Sequence, residues 1–213
     1  MRTSFLMIVL AACFAVLINA HVTSAQYLRE AAREHARKEP GVPLYLTSAP
    51  GDYLPKTIGE LTKEAEVVVQ ATLSQTNSYL GESGDRILTD YAINVDRVIA
   101  GSLPARKSYT PGAVVVPLVL TVFGGDVTID GVLIRATDNN REAIMDGGRY
   151  LLFLMKSRRP TPGRYEIYYG GVFELVLGKV RPLLRDGARV FKGMINTPVT
   201  ELIPQIEKAA QGR

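Results

Sequence analysis

From Val67 onward the chain alternates. Val67, Val69, Ala71 and Leu73 are separated by Val68, Gln70, Thr72 and Ser74, and a period of two belongs to a strand with one buried face. Ile87 to Ile99 repeats the pattern, with Tyr91, Ile93 and Val95 on one side and Asn94 and Asp96 on the other. Gly81-Glu82-Ser83-Gly84-Asp85 supplies the turn between them, so the two runs predict a long hairpin. Val114 to Phe123 is almost continuously apolar, which predicts a strand covered on both faces. Pro117 marks an edge or bulge there, because proline cannot donate to a ladder. Val127–Ile129 and Val132–Ile134 flank Asp130-Gly131, the residue pair that a two-residue hairpin turn favours. Tyr150–Met155 reads as a buried strand. Tyr165–Tyr169, Val172–Leu177 and Val180–Leu184 read as short strands split by Gly170-Gly171 and Gly178. About seven or eight strands with helices mainly at the ends predict an all-β fold, a single barrel or sandwich over residues 56–195.

The flanks differ in character. Residues 26–39 combine alanines with long charged side chains, good helix formers, and Pro40-Gly41 ends the run. Leu28, Ala31, Ala32 and Ala36 make only a thin apolar stripe, which predicts weak docking. Residues 26–55 thus read as a helix followed by a Pro/Gly linker. Thr57–Glu66 fits a short helix capped by Thr57. Residues 196–213 hold a C-terminal helix over Pro198–Ala210, with Thr197 as the cap and Pro204 expected to kink or shorten it.

Ahead of all this, Arg2 precedes an apolar run from Phe5 to Ile18. That run fits the roughly 7–15 residues of a secretory h-region and falls short of the roughly 20 needed to span a bilayer. Small residues follow, Thr23-Ser24-Ala25. Residues 1–25 therefore read as a signal peptide cleaved between Ala25 and Gln26, giving a periplasmic or secreted chain. Two anchored alternatives stay open: an uncleaved signal, and lipidation at Cys13 in Leu10-Ala11-Ala12-Cys13.

Cleavage at that point removes the one cysteine and His21, leaving His35 as the last histidine. Disulfides, cysteine–zinc sites, iron–sulfur clusters, a cysteine nucleophile and any two-histidine metal site are excluded from such a chain. No P-loop, dinucleotide-binding glycine motif or Gly-x-Ser-x-Gly elbow occurs, and no cofactor is expected. The net charge is +4, too small by itself to argue for nucleic acid. With export, it makes an intracellular nucleic-acid partner an unfavoured reading.

Three runs together carry a resemblance: Glu60-Leu61…Ala65-Glu66-Val67-Val68-Val69, then Thr89-Asp90-Tyr91…Val95-Asp96-Arg97-Val98-Ile99-Ala100-Gly101, then Gly147-Gly148-Arg149-Tyr150-Leu151-Leu152-Phe153-Leu154. With Gly171-Val172-Phe173 and Gly178-Lys179-Val180, this order resembles a loose family of exported bacterial proteins of unknown function. The resemblance implies an OB-like β-barrel, the architecture of tissue inhibitors of metalloproteases. Those inhibitors act through an N-terminal cysteine and are held by disulfides, so their activity does not carry over.

Several polar groups are candidate sites. Asp126, Asp130 and Asp138-Asn139-Asn140 offer oxygens without the ligand spacing of a calcium loop. Glu82 and Asp85 pair carboxylates in a Gly-rich turn, and no Ser-Lys spacing stands out. The least ordinary segment runs through Arg158, Arg159 and Arg164 to Tyr165, Tyr168 and Tyr169, gathering guanidinium groups beside aromatic rings. Those are the materials of binding surfaces and of single-strand grooves on OB folds. The expected function is an exported, non-enzymatic β-barrel with a binding or envelope role, its partner a protein or an acidic polymer. A hydrolase using carboxylates or a Ser-Lys pair is the alternative, and an OB-type polyanion or nucleic-acid binder a further one. Mass spectrometry of the exported form should find Gln26 at its N-terminus. An intact Met1 or an acylated Cys13 would replace that reading with an anchored one.

Overall fold

The computed structural model describes residues 26–48, 57–103, 118–156, 163–185, 191 and 194–212, without the side chains of Tyr168 and Tyr169. In chain order the described elements are α1 (26–38), β1 (Leu44–Thr47), α2 (Ile58–Glu64), β2 (Val67–Leu80), β3 (Ile87–Ala100) and β4 (Val119–Phe123). They continue with β5 (Gly125–Ile129), β6 (Val132–Thr137), β7 (Arg149–Lys156), β8 (Arg164–Val176), β9 (Lys179–Pro182) and α3 (Val199–Gln211). The chain divides into two compact units. The first takes the described residues up to Leu46, with Ser78–Leu88 and Gly124–Ala136, and the second takes the rest. The fold is mostly β, as the alternating pattern requires.

In the second unit, strands β4, β3, β2, β7 and β8 are neighbours in that order, and β8 pairs back to β4. Five strands thus close into a barrel, with β9 added beyond β8. The closing pair is parallel, Val119 against Arg164 and Thr121 against Glu166. β2 runs antiparallel to β7, Val67 facing Leu154 and Val69 facing Leu152. Opposite residues point to the same face of a sheet, and the core obeys that rule. Val67, Val69, Ala71 and Leu73 share the barrel interior with Tyr150, Leu152, Leu154, Leu120 and Val122.

The other face of the same strands is buried too. Val68, Leu151, Phe153 and Phe173 pack with Ile58 and Leu61 of α2 and with Leu202, Ile203 and Ile206 of α3. This is why Tyr150–Leu154 is apolar without interruption: even positions fill the barrel and odd positions lie under the helices. Thr57 caps α2 as expected, its Oγ1 accepting from Glu60 N at 3.1 Å.

The first unit holds the three-stranded sheet β1-β6-β5. β5 and β6 turn at Asp130 and Gly131, with φ of +50° and +81°, the two-residue turn that Asp-Gly predicts. Here several expectations are corrected. α1 docks firmly: Leu28 and Ala32, one turn apart, are both fully buried, and Arg33 Nε meets Asp130 Oδ2 at 2.8 Å. A thin stripe suffices when each of its members is covered. The stretch read as a linker contains β1, a strand too short for its period to stand out among prolines and glycines.

The second unit brings further corrections. Within residues 118–123 only Leu118, Leu120 and Val122 are fully buried, so β4 has one core face rather than two. Pro117 lies outside the described residues. β8 is one strand, not two, because Gly170-Gly171 falls at a break in register instead of a turn. At α3 the N-cap position belongs to Pro198 and makes no side-chain bond, and the helix continues through Pro204 to Gln211.

Phe173 stacks edge-on against both Phe153 and Phe191, with ring centroids 5.8 and 5.2 Å away. Phe173→Ala should therefore cost about 3–5 kcal/mol, read from the midpoint of urea unfolding. A loss under about 1 kcal/mol would mean that the helical layer adds little to barrel stability.

Candidate functional site

The basic and aromatic segment divides when its residues are located. Arg164 opens β8 and is committed to the barrel seam. Its Nη1 donates to Asp90 Oδ1 at 2.8 Å and to Thr121 Oγ1 at 2.6 Å, while Thr121 Oγ1 donates to Asp90 Oδ1 at 2.7 Å. The triangle joins β3, β4 and β8 on the outer wall, with the Arg164 and Asp90 side chains 21% and 14% exposed. Tyr165 turns the other way, into the barrel interior beside Leu154 and Leu120. Neither residue belongs to an open binding edge. Alternation along a strand forces this, since neighbours must face opposite sides.

Tyr168 and Tyr169 lie where β7 and β8 lose register. Leu152 faces Val172, but Leu154 faces Ile167. The four residues Tyr168 to Gly171 therefore stand against Phe153 alone. Such bulges bend a strand and recur beside functional sites. Arg158, Arg159 and Ala25 lie outside the described residues, and Gln26 is exposed at the first position of α1.

The candidate carboxylates of the calcium and paired-acid readings are engaged elsewhere. Asp126 pairs with Arg135 and Asp130 with Arg33. Asp138 accepts from Ser48 Oγ at 2.8 Å and from Asn140 N at 3.0 Å. Asp85 accepts from Ser83 Oγ and lies beside Arg86. His35 Nε2 is 3.1 Å from Val42 O. Among the described residues no group of three or more His, Cys, Asp or Glu side chains is placed to hold a metal.

Sequence reasoning missed two arginine centres. Arg181 on β9 clamps Glu174 on β8 through Nε and Nη2, at 2.8 and 2.6 Å, and holds Glu142 through Nη1. Arg141 lies in the connection between β6 and β7, a stretch readable only as polar turn residues. The same connection is tied to two buried tyrosines. Tyr91 Oη donates to Ile144 O at 3.3 Å, and Tyr150 Oη accepts from Met145 N at 2.8 Å. No spacing in the sequence marks either arginine: Arg141 joins Asp138, three residues back, to Phe123 O, and Arg181 joins Glu174, seven residues back, to Glu142 from the β6–β7 connection.

No protein-family model matches the chain, and no curated protein matches it.

Burial raises the phenol pKa of Tyr91, Tyr150 and Tyr165 above the ordinary value. Folded protein then keeps protons that the unfolded chain releases above about pH 10. Their contribution to stability is complete below that value and is lost as the pH rises through the folded pKa values. Melting temperature should fall steeply as the pH rises above about 10, with part of the tyrosinate absorbance appearing only as the protein unfolds. Full tyrosine ionisation in a folded state would contradict this.

Proposed function

We propose that the chain is an exported, non-enzymatic β-barrel binding domain whose ligand is an acidic polymer or the acidic face of a partner protein. Export rests on Arg2, the apolar run Phe5–Ile18 and the small residues Thr23-Ser24-Ala25. The likeness to exported bacterial proteins of OB-like build agrees with it.

The observation that carries the binding reading is the barrel ring, β4-β3-β2-β7-β8. Counted along the chain, β7 and β8 are its fourth and fifth strands, and Arg158 and Arg159 belong to the residues joining them. OB-type barrels bind oligonucleotides and oligosaccharides with that loop and the one between strands one and two. The register break at Tyr168–Gly171 falls on the second of these strands. Export favours an extracellular acidic polysaccharide or protein over nucleic acid. Arg164 drops out of the ligand-binding set, because its charge serves the seam.

Retention on a heparin column across a salt series tests the proposal. Wild type should elute at progressively lower retention as salt screens the attraction. Arg158→Glu with Arg159→Glu should elute early, with an unfolding free energy within about 0.5 kcal/mol of wild type. Arg164→Glu should instead destabilise the barrel, by bringing a second carboxylate to Asp90. Equal retention of wild type and the double variant would remove this loop as the binding site.

A further inference from the structure

Arg141 is a buried charge with weak partners. Its side chain is 13% exposed, yet Nε stands 3.5 Å from Asp138 Oδ2 and Nη2 stands 3.4 Å from Phe123 O. Nη1 is buried with no acceptor among the described residues, the one buried side-chain nitrogen or oxygen in that condition. The comparison within the molecule is sharp. Arg164 and Arg181 reach their acceptors at distances as short as 2.6 Å, whereas Arg141 lies at the outer limit of hydrogen bonding. Its one nearby carboxylate is shared, because Asp138 also accepts from Ser48 and Asn140. Burying a guanidinium on such terms is costly.

The residues that hold Arg141 in this position form a strap across the barrel rim. Glu142 N donates to Leu183 O, Gly147 N donates to Leu73 O, and Asp146 Oδ1 accepts from Gln75 N. Ile144 reaches the interior cluster. The strap's fastenings are good, but the arginine it carries is poorly matched.

We propose that Arg141 is an anion-binding residue, sheathed by residues 139–147, and that its ligand is an oxyanion, a carboxylate or a phosphate. A guanidinium fork matches two oxygens of either group, giving charge-assisted bonds that the closed arrangement withholds. Nη1 has no solvent exposure, so binding requires the strap to lift. Neither Arg158 nor Arg159 is needed for this anion binding, and its fate does not depend on heparin binding.

The full chain is melted in sodium phosphate, sodium acetate and sodium chloride at matched ionic strength, with amide exchange followed over residues 139–147. Phosphate or acetate should raise the melting temperature about 3–6 °C above chloride at tenfold excess over Kd. Exchange in the strap should change only in the stabilising salt. A response to phosphate alone identifies a phosphate ligand, and a response to acetate alone a carboxylate. Arg141→Met should melt no lower than wild type in chloride and lose the anion response. Equal melting in the three salts, or a response retained by Arg141→Met, overturns the proposal. If that variant does not fold, wild-type exchange decides: a strap unaltered by both anions overturns it equally.

Discussion

Everything in the barrel depends on one seam. Four of its five contacts join strands that the chain lays down as ordinary sheet neighbours, but the fifth brings β4 beside β8 in parallel. Parallel pairing is slightly weaker per residue than antiparallel, so the seam needs reinforcement. Asp90, Thr121 and Arg164 provide it, one from each of the three strands that meet there. The triangle is half-buried, where an ion pair is screened less than on the open surface. Without it the sheet would present two unpaired edges, which invite pairing with other chains.

Closing the ring also decides how the remainder packs. A closed barrel has an inside, and Leu120, Leu152 and Leu154 fill it. Its outside still carries Val68, Leu151, Phe153 and Phe173, so β2, β7 and β8 need a second cover. Helices α2 and α3 supply that cover. Two apolar layers share one sheet, and β7 is the strand on which both depend. Its continuous hydrophobicity is the cost of serving two cores at once.

How much of this was legible depends on the distance over which each feature is decided. The β2–β3 hairpin, the Asp130-Gly131 turn and the Thr57 cap are local, and residue type with spacing was enough to find them. β1 escaped because four residues carry barely two periods of alternation, hidden here among Pro43, Pro50 and Pro55. The docking of α1 escaped because two small contacts, at Leu28 and Ala32, were judged by their number instead of their coverage. At the candidate site, Arg164 and Tyr165 read as one basic–aromatic cluster, although strand alternation sends adjacent side chains to opposite faces. Arg141 and Arg181 were invisible for a different reason: each joins a partner near it in the chain, Asp138 or Glu174, to one that only the fold brings up, Phe123 or Glu142. Periodicity reports what a residue's own element buries, not which charge from elsewhere will meet it.

The parallel seam also has a consequence in time. Val119 meets Arg164 only after β5, β6 and β7 have been traversed, whereas β8 and β9 pair across a two-residue turn. Contacts that span long stretches of chain carry a larger loop-closure entropy and form late. Closing a hairpin therefore costs less chain entropy than closing the seam. Parting the seam alone frees the longest loop while β4 keeps β3, and β8 keeps β7 and β9, as neighbours, which is the form that a sub-global opening takes. The stability of the ring sets an upper bound on how long those edges stay hidden.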